Sequence, residues 1–352
     1  MPALERMLVG ALASSYTAFT LDQPTMPTTA PRPASAALIW TAILILYVVW
    51  GSTYLAIRVA VEAIPPFVMG AVRFGIAGLV MLAAAAIARR GAIVRPTRRE
   101  LRDCAIIGTC LMFGGMGLVS WGEQTIPSGI AGVLIAMMPV WVAIYGRIFL
   151  RERLPGLAVA GIVVGMVGVV VLVGQGVALD RSLDPLGMAA LILSPMIWGA
   201  GATFSATRAR VPSDPLLATS LEMLFGSVVL AIAAVLSGEL ASFQPAAVTS
   251  DALLATGYLT VVGSLVAFTA FVWVIRHAPL PLVTTYAFVN PVIAVFLGWL
   301  LLHEAVGPVQ LVAGGVIVAG VALIIVARSR MPGAVTTATT DEDPRPKAAA
   351  AA

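Results

Sequence analysis

The chain has 352 residues, of which 60% are hydrophobic and 11% are charged, and its formal net charge is +4. Soluble domains carry about 25% charged residues, so the composition excludes a water-soluble globule and indicates a protein that lies in lipid. Two cysteines within one apolar run and two distant histidines provide neither a disulfide framework nor a metal cluster. The arginines lie between apolar runs instead of in one patch, which argues against nucleic-acid binding.

The two ends of the chain are polar and compositionally biased. Residues 1–36 are rich in Pro, Thr and Ala and are predicted to form a disordered tail. Their apolar start, MLVGALASSYTAF, is short; it fits a tail, a start codon upstream of a true start at Met26, or a cleaved signal sequence. Residues 328–352 are of low complexity and are predicted to be disordered as well.

Ten apolar runs lie between these tails, each near the roughly 20 residues that a helix needs to cross a bilayer. They are centred on residues 37–58, 66–88, 103–121, 128–148, 156–174, 186–207, 215–236, 252–275, 281–302 and 306–327. The runs show none of the alternating polarity of transmembrane strands. The sequence therefore predicts an all-α polytopic membrane protein with ten transmembrane helices.

Basic residues are distributed unevenly between the loops on the two sides of the predicted spans. One side carries the arginines that follow spans 2, 4, 6, 8 and 10, which are Arg89, Arg90, Arg95, Arg98, Arg99, Arg102, Arg147, Arg151, Arg153, Arg208, Arg210, Arg276, Arg328 and Arg330. The other side carries one basic loop residue, Arg181, among several acidic residues. The positive-inside rule therefore predicts that both termini are cytoplasmic.

The stretch from Trp121 to Glu152 returns at Trp273 to Glu304, at a fixed shift of 152 residues. A recurring frame of this kind indicates a chain built twice from one unit. Five spans in each copy make an odd number, so the second copy enters the membrane from the opposite side. Inverted repeats of this type are typical of secondary transporters, whose substrate site lies near the midplane between the copies.

Five segments carry a resemblance to a known family. They are WGSTYLAIRVAVEAIPPFVMGAVRF (50–74), QTIPSGIAGVL (124–134), EMLFGSVVL (222–230), GSLVAFTAFVWVIR (263–276) and TTYAFVNPVIAVFLG (284–298). They resemble the drug/metabolite transporter superfamily, in its branch with two EamA domains and its YedA-like permeases. The resemblance places EamA repeat 1 at 37–174 and EamA repeat 2 at 186–327. It implies a central cavity open alternately to each side of the bacterial inner membrane, and export of amino acids, metabolites or amphiphilic drugs.

Aromatic side chains of spans 1 and 6 are the first candidates for a substrate cavity. Trp50 and Tyr54 lie one helical turn apart and share a face, and Trp198 holds the place of Trp50 in the second copy. Lipid-facing tryptophans concentrate at the membrane interfaces, whereas Trp50 lies deep in its span. Packing between helices and a cavity wall that stacks on a planar or cationic substrate both fit this pattern.

Span 9 adds a second group of candidates, Tyr286 and Asn290, beside Thr284 and Thr285. Asn290 offers both a donor and an acceptor, and leaving them unpaired in hydrocarbon would cost several kcal/mol, so the side chain is expected to face protein or water. An interhelical hydrogen bond and a substrate contact would each satisfy it. Its counterpart in the first copy is the apolar Met138, and this asymmetry favours the substrate role.

The repeated stretch also contains paired prolines and glutamates. Pro139 and Pro291 each remove a helix hydrogen bond and predict bends in spans 4 and 9, either as a fixed shape or as gating hinges. Glu152 and Glu304 each precede a span by a few residues, where a carboxylate caps free N–H groups of a helix. We therefore interpret both glutamates as helix caps and not as catalytic groups.

Charged residues in or beside the spans are candidates for coupling or gating. They are Arg58, Arg73, Glu123 and Glu222. Arg73 and Glu222 hold equivalent positions in the two copies, at similar depths from opposite sides, so we expect no direct pair between them. For Glu222 a proton-coupling carboxylate, a cation contact and an ion pair with a loop arginine such as Arg208 or Arg210 stay open, and the ion pair is favoured.

These patterns predict a secondary transporter that binds a small organic solute between its halves. The sequence contains no nucleotide motif, metal-ligand cluster or nucleophile–base arrangement, so an enzyme is not expected, and neither a cofactor nor nucleic acid is implied. A receptor or scaffold is the alternative from another class, and a channel is disfavoured because no charged ring-forming segment occurs. Export and uptake, and proton antiport and passive transport, stay open.

Small residues indicate where helices approach each other closely. Gly161, Gly165 and Gly168 form such a face in span 5, and Gly315 and Gly320 form one in span 10. Contact between spans 5 and 10 within one chain is the favoured interpretation, and a homodimer seam is the alternative.

Overall fold

The structure, a computed structural model, describes residues 35–89, 91, 95–126, 131, 134–151, 154–174, 184–302 and 307–329. Almost all of both predicted tails lies outside the described residues, as do Glu152 and Glu304, the two predicted helix caps. The described chain is helical, with no strand among these residues. This agrees with the all-α prediction.

Six of the described helices are long and apolar enough to cross a membrane. They are α1 (Ala36–Val61), α2 (Pro66–Ala88), α3 (Arg98–Gly122), α6 (Pro185–Thr207), α7 (Pro215–Leu236) and α8 (Ser250–Val274). Four further helices occupy the positions of the other predicted spans: α4 (Met138–Phe149), α5 (Gly156–Gly174), α9 (Tyr286–Leu302) and α10 (Pro308–Ser329). A single helical turn, Leu280–Val283, precedes α9.

Acidic residues begin two of the long helices in the same way. Asp184 accepts hydrogen bonds from the backbone N–H groups of the first turn of α6, and Asp214 does so for α7, each followed directly by a proline. A proline suits this position because its missing N–H would have no partner there. Arg89, at the end of α2, donates to Asp214 at 2.7 Å, and this hydrogen bond holds the pKa of Asp214 below its usual range.

The pair α2 and α7 is joined at both ends and along its length. Arg89 and Asp214 connect one end. At the other end Glu239, which follows α7, accepts from the N–H groups of Phe67 and Val68 at the start of α2, at 2.8 and 3.3 Å. A carboxylate at this place stabilises the positive end of the helix. In the middle, Ser227 donates to the carbonyl of Ala71 at 2.8 Å.

Helices α5 and α10 form a second close pair through glycines. A Cβ on Gly161 would lie 2.7 Å from the carbonyl oxygen of Gly320, and one on Gly168 would lie 2.7 Å from Ile317. A Cβ on Gly315 would meet nothing within 4 Å. The contact within the chain that we favoured is therefore present through Gly161, Gly168 and Gly320, whereas Gly315 lies outside it.

Three helices contain stretches of π-helix, in which the turn is wider than in an α-helix. They are Leu46–Trp50 in α1, Thr109–Gly117 in α3 and Leu259–Phe268 in α8. The stretches in α3 and α8 begin 150 residues apart and so hold nearly the same place in the two copies of the repeat. π-helical turns occur frequently at functional sites, and all three stretches lie beside the candidate site.

Candidate functional site

Four buried aromatic residues from four helices pack against each other, and we call them the aromatic cluster: Trp50, Trp198, Phe271 and Tyr286. The ring of Trp50 lies 5.5 Å from that of Trp198, 5.2 Å from Phe271 and 4.6 Å from Tyr286, measured between centroids. Phe271 also contacts Trp198 at 5.4 Å. Each of the four side chains is at most 4% exposed, so they fill the space between α1, α6, α8 and α9.

Each of the two tryptophans lies directly against a glycine in one of the π-helical stretches. A Cβ on Gly115 in α3 would overlap the indole of Trp198. On the opposite side, Trp50 donates its Nε1–H to the carbonyl of Gly263 in α8, at 3.5 Å. Each tryptophan thus lies on a glycine of the other copy of the repeat. The aromatic cluster is built from both copies.

The predicted polar residues of span 9 lie next to this cluster. The hydroxyl of Tyr286 donates to the sulfur of Met138 at 2.9 Å. Asn290 is 3% exposed, and its carbonyl oxygen has no hydrogen-bond partner among the described residues. The phenol of Tyr54 interacts with the Asn290 side chain and lies near Glu123. The structure therefore brings together all five residues that the sequence suggested for a cavity.

A carboxylate and an arginine lie beyond these polar side chains, toward the end of α3. Glu123 follows α3 directly, and one of its oxygens is buried without a hydrogen-bond partner from any residue that the structure describes. Burial raises the pKa of Glu123 to about 7, and the positive charge of Arg58 opposes this shift. Arg58 itself is exposed. A path of polar groups thus runs from Arg58 through Glu123 and Tyr54 to Asn290.

Glu222 lies in α7, fully buried, and pairs with Arg276 just beyond α8. The distance between Arg276 Nη2 and Glu222 Oε1 is 3.6 Å, and neither oxygen of the carboxylate accepts a hydrogen bond within the described chain. The favoured ion pair with a loop arginine is therefore present, but the two arginines named as examples, Arg208 and Arg210, are not its partners. Arg208 donates instead to the carbonyl of Phe149 at 3.0 Å, and the backbone N–H of Arg210 donates to Asp103 at 2.9 Å. Because α8 ends beside α7, Arg276 is the loop arginine that lies close enough to pair with the carboxylate.

Arg73 lies in α2 and is 2% exposed. Its Nε donates to the hydroxyl of Ser264 in α8 at 2.7 Å, and its guanidinium lies 4.8 Å from the ring centroid of Phe74. Nη2 has no hydrogen-bond partner within the described ranges of the chain. None of the ion pairs of the described residues joins Arg73 to Glu222, in agreement with the expected distance between them.

The two prolines have different surroundings. Pro139 stands in the first turn of α4, which begins at Met138 after a turn at residues 136–137. Span 4 is therefore interrupted before Pro139 and not bent at it. Pro291 lies inside α9, and span 9 is interrupted before α9 begins, at Thr284 and Thr285. The hydroxyls of Thr285 and Tyr47 form a 2.6 Å hydrogen bond there.

Three residues of this region were not among the sequence candidates. Phe271 lies in an apolar run in which nothing distinguishes one aromatic side chain from another. Ser264 and Asp103 carried a signal, because a polar residue inside an apolar span is costly unless it is paired. Asp103 is 1% exposed and lies 2.8 Å from Arg102 Nη2. Among the described residues, no group of three metal-ligating side chains is found.

Two regions of the chain, residues 37–174 and 185–326, match the EamA-like transporter family. The chain belongs to this family. The drug/metabolite transporter resemblance noted from the sequence is thereby confirmed. The long apolar helices and the family together make it a multi-pass membrane transporter.

Individual members of the EamA-like family cover most of the chain. YedA, an uncharacterized inner membrane transporter of Escherichia coli K12, is 35% identical over 293 residues, or 83% of this chain and 92% of YedA. A probable terminal-alkyne amino-acid exporter of Streptantibioticus cattleyicolor is 28% identical over 81% of this chain and 92% of that protein. One solved crystal structure shares the fold, with a TM-score of 0.67 and 24% identity over 83% of this chain and 97% of that one.

Proposed function

We propose that the chain is a secondary transporter that exports a small organic solute by alternating access at the aromatic cluster. In this proposal ten spans form two inverted five-helix repeats, and both termini face the cytoplasm of a bacterial cell. The single observation that carries it is the buried contact of Trp50 with Trp198. The two residues hold the same place in the two copies, and a site between inverted copies is where secondary transporters bind their substrates.

The described conformation is closed at the aromatic cluster, since the four rings contact each other and fill the space that a solute would occupy. Each aromatic pair contributes only about 0.5–1.5 kcal/mol beyond its buried area, so a solute that stacks on the same rings can replace these contacts. Movement of α1 and α9 against α6 and α8 would then open the cluster. Arg58, Glu123, Tyr54 and Asn290 would line one access path.

The opposite path would end at Glu222 and Arg276. Their 3.6 Å separation without hydrogen bonds supports a contact that forms and breaks during the cycle. A carboxylate in this position can also carry the proton of an antiport mechanism, and proton coupling through Glu222 is part of the proposal. Replacement of Glu222 by Gln would then abolish flux driven by a pH gradient while leaving flux down the solute gradient.

The names of relatives support export of amino acids or related metabolites. One relative is named a probable terminal-alkyne amino-acid exporter. A terminal-alkyne amino acid has an apolar side chain and a charged end. An apolar group fits the aromatic cluster, and a planar or cationic drug would fit its ring faces as well. Uptake of the same solutes would use the same site in the opposite direction. A homodimer is compatible with either direction.

Flux into proteoliposomes tests this function. A mixture of metabolites and amphiphilic drugs is placed outside, and mass spectrometry identifies the solutes that enter faster than into protein-free liposomes. Substitution Trp50→Ala removes three ring contacts and is expected to lower flux at least about tenfold. Buried aromatic residues of this kind carry a large share of the binding energy. Trp40→Ala, in the exposed part of the same helix, is the matched control and should keep flux.

The outcomes of that experiment separate the classes of function. Equal flux in Trp50→Ala and Trp40→Ala would remove the aromatic cluster from the transport site. Binding of a solute without any flux would indicate a receptor instead of a transporter. Trp50→Phe, which keeps an aromatic ring, serves if Trp50→Ala does not fold.

A further inference from the structure

Arg73 carries a buried positive charge without a counter-ion among the described residues. Its side chain is 2% exposed, Ser264 accepts from Nε, and Nη2 has no partner in the part of the chain that the structure describes. Arginine does not lose its proton in proteins, and a buried charge without an opposite charge destabilises the folded protein. Arg73 is held between α2 and α8 in this state, and a bound anion would neutralise its charge.

Glu222, the buried carboxylate of the neighbouring helix, lies too far along the bundle to supply that anion. Gly70 faces Leu230, Gly75 faces Ser227, and Gly78 faces Leu224 across the α2–α7 contact. In this antiparallel register Arg73 lies opposite residue 228. Glu222 is six residues farther along α7, which corresponds to roughly 9 Å of helix. Its charge is instead next to Arg276.

Gly263 lies between Arg73 and the aromatic cluster and contacts both. The carbonyl of Gly263 accepts from Trp50, and a Cβ on the same glycine would lie 2.9 Å from Arg73 Nη2. A bulkier residue at position 263 would therefore displace the guanidinium. Ser264 accepts from Nε of Arg73 and donates to the carbonyl of Leu259 at 3.1 Å. These contacts hold the guanidinium in place and leave Nη2 available.

We propose that Arg73 binds the carboxylate of the transported solute while the apolar part of that solute lies against the aromatic cluster. The inference rests on the proposed function and adds a substrate class to it. A guanidinium matches the geometry of a carboxylate. One arginine, with no second cation in contact with it in the described chain, suits one negative charge better than the two of a phosphate. The solutes are therefore apolar carboxylates, including zwitterionic ones.

Phenylacetate and phenylacetamide test the proposal, because they have the same ring and nearly the same shape and differ in charge. The full-length protein in lipid nanodiscs is titrated with each compound, and binding is followed by tryptophan fluorescence. Phenylacetate is expected to bind more tightly than phenylacetamide. A charged hydrogen bond is worth about 1.5–3 kcal/mol, so Arg73→Gln should weaken phenylacetate binding roughly tenfold to a hundredfold. Phenylacetamide binding should change by less than about twofold.

Arg98→Gln, at the exposed start of α3, is the matched control and should preserve the preference for phenylacetate. Arg73→Lys keeps the positive charge and should retain part of the preference for phenylacetate. If Arg73→Gln does not fold, the melting temperature of the unaltered protein replaces it: phenylacetate should raise this temperature more than phenylacetamide at equal concentration, because a ligand stabilises the state that it binds. Inorganic phosphate should have little effect.

Equal binding of the two compounds by the unaltered protein, or equal losses in Arg73→Gln, would overturn the inference. The binding experiment does not depend on transport. Loss of flux with the charge preference intact would therefore contradict the proposed function alone. Flux with no charge preference would contradict the role of Arg73 alone.

Discussion

Glu123 shows at the scale of one residue how burial prepares a group for a change of charge. It follows the last turn of α3 and has a buried oxygen that accepts no hydrogen bond from the described part of the chain. Burial raises its pKa from 4.5 to about 7. Because the neutral form is favoured in the folded protein, its contribution to stability is fully present below about pH 4.5 and is lost as the pH rises through about 7.

Substitution Glu123→Gln is therefore expected to remove part of the pH dependence of stability. The melting temperature of the unaltered protein should fall between about pH 5 and about pH 8, and the fall should be smaller in Glu123→Gln. Thermal unfolding in detergent, followed by intrinsic fluorescence, measures this difference. Glu62→Gln, at an exposed position, is the control. An unchanged slope in Glu123→Gln would show that this carboxyl does not titrate near neutral pH.

Residues that belong to the repeat were easier to predict than residues that act through contacts. Trp50 and Trp198 could be predicted to hold equivalent places, because the pair Trp50-Gly51 recurs as Trp198-Gly199 in the second copy. The partner of Glu222 could not, because several loop arginines are close in sequence and only the packing of α7 against α8 selects Arg276. Phe271 was missed for the same reason, since its role depends on which rings meet it.

At the scale of elements, two helix pairs act as a frame for the site. The pair α2 and α7 is joined by Arg89 and Asp214 at one end and by Glu239 at the other. The pair α5 and α10 is held by close glycine contacts. Helices α1, α6, α8 and α9 carry the aromatic cluster. We expect movement during transport to fall on these four helices.

A glycine substitution tests the frame formed by α5 and α10. A Cβ on Gly320 would lie 2.8 Å from the carbonyl oxygen of Gly161, whereas one on Gly315 would meet nothing within 4 Å. Overpacking costs about 1–3 kcal/mol, so Gly320→Leu should lower the melting temperature clearly and Gly315→Leu should not. Comparable losses in both variants would contradict this packing. A change in oligomeric state in Gly315→Leu alone would instead favour a dimer through that exposed face.

Hydropathy was sufficient to predict where the helices lie, because apolar runs of this length have few other stable states. It was not sufficient to predict how they are interrupted. Span 4 breaks before Pro139 and span 9 breaks at Thr284 and Thr285. The π-helical stretches were also unforeseen, since a wider turn changes which backbone groups pair and leaves composition and periodicity nearly unaltered.

At the scale of the whole molecule, the family and the aromatic cluster lead to the same proposal. The EamA-like match covers both copies of the repeat, and the cluster takes residues from each. The polar path through Glu123 and the pair of Glu222 with Arg276 lie on different sides of the cluster in the proposed topology. Access from one side should therefore exclude access from the other.

Chemical labelling in sealed vesicles measures this exclusion directly. Single cysteines replace Tyr54 on one path and Arg276, the partner of Glu222, on the other, after Cys104 and Cys110 are changed to serine. A membrane-impermeant maleimide is applied from each side, with and without a solute identified by flux. Alternating access predicts that the solute changes the two reactivities in opposite directions. Simultaneous reactivity at both positions, or no response to the solute at either, would contradict it.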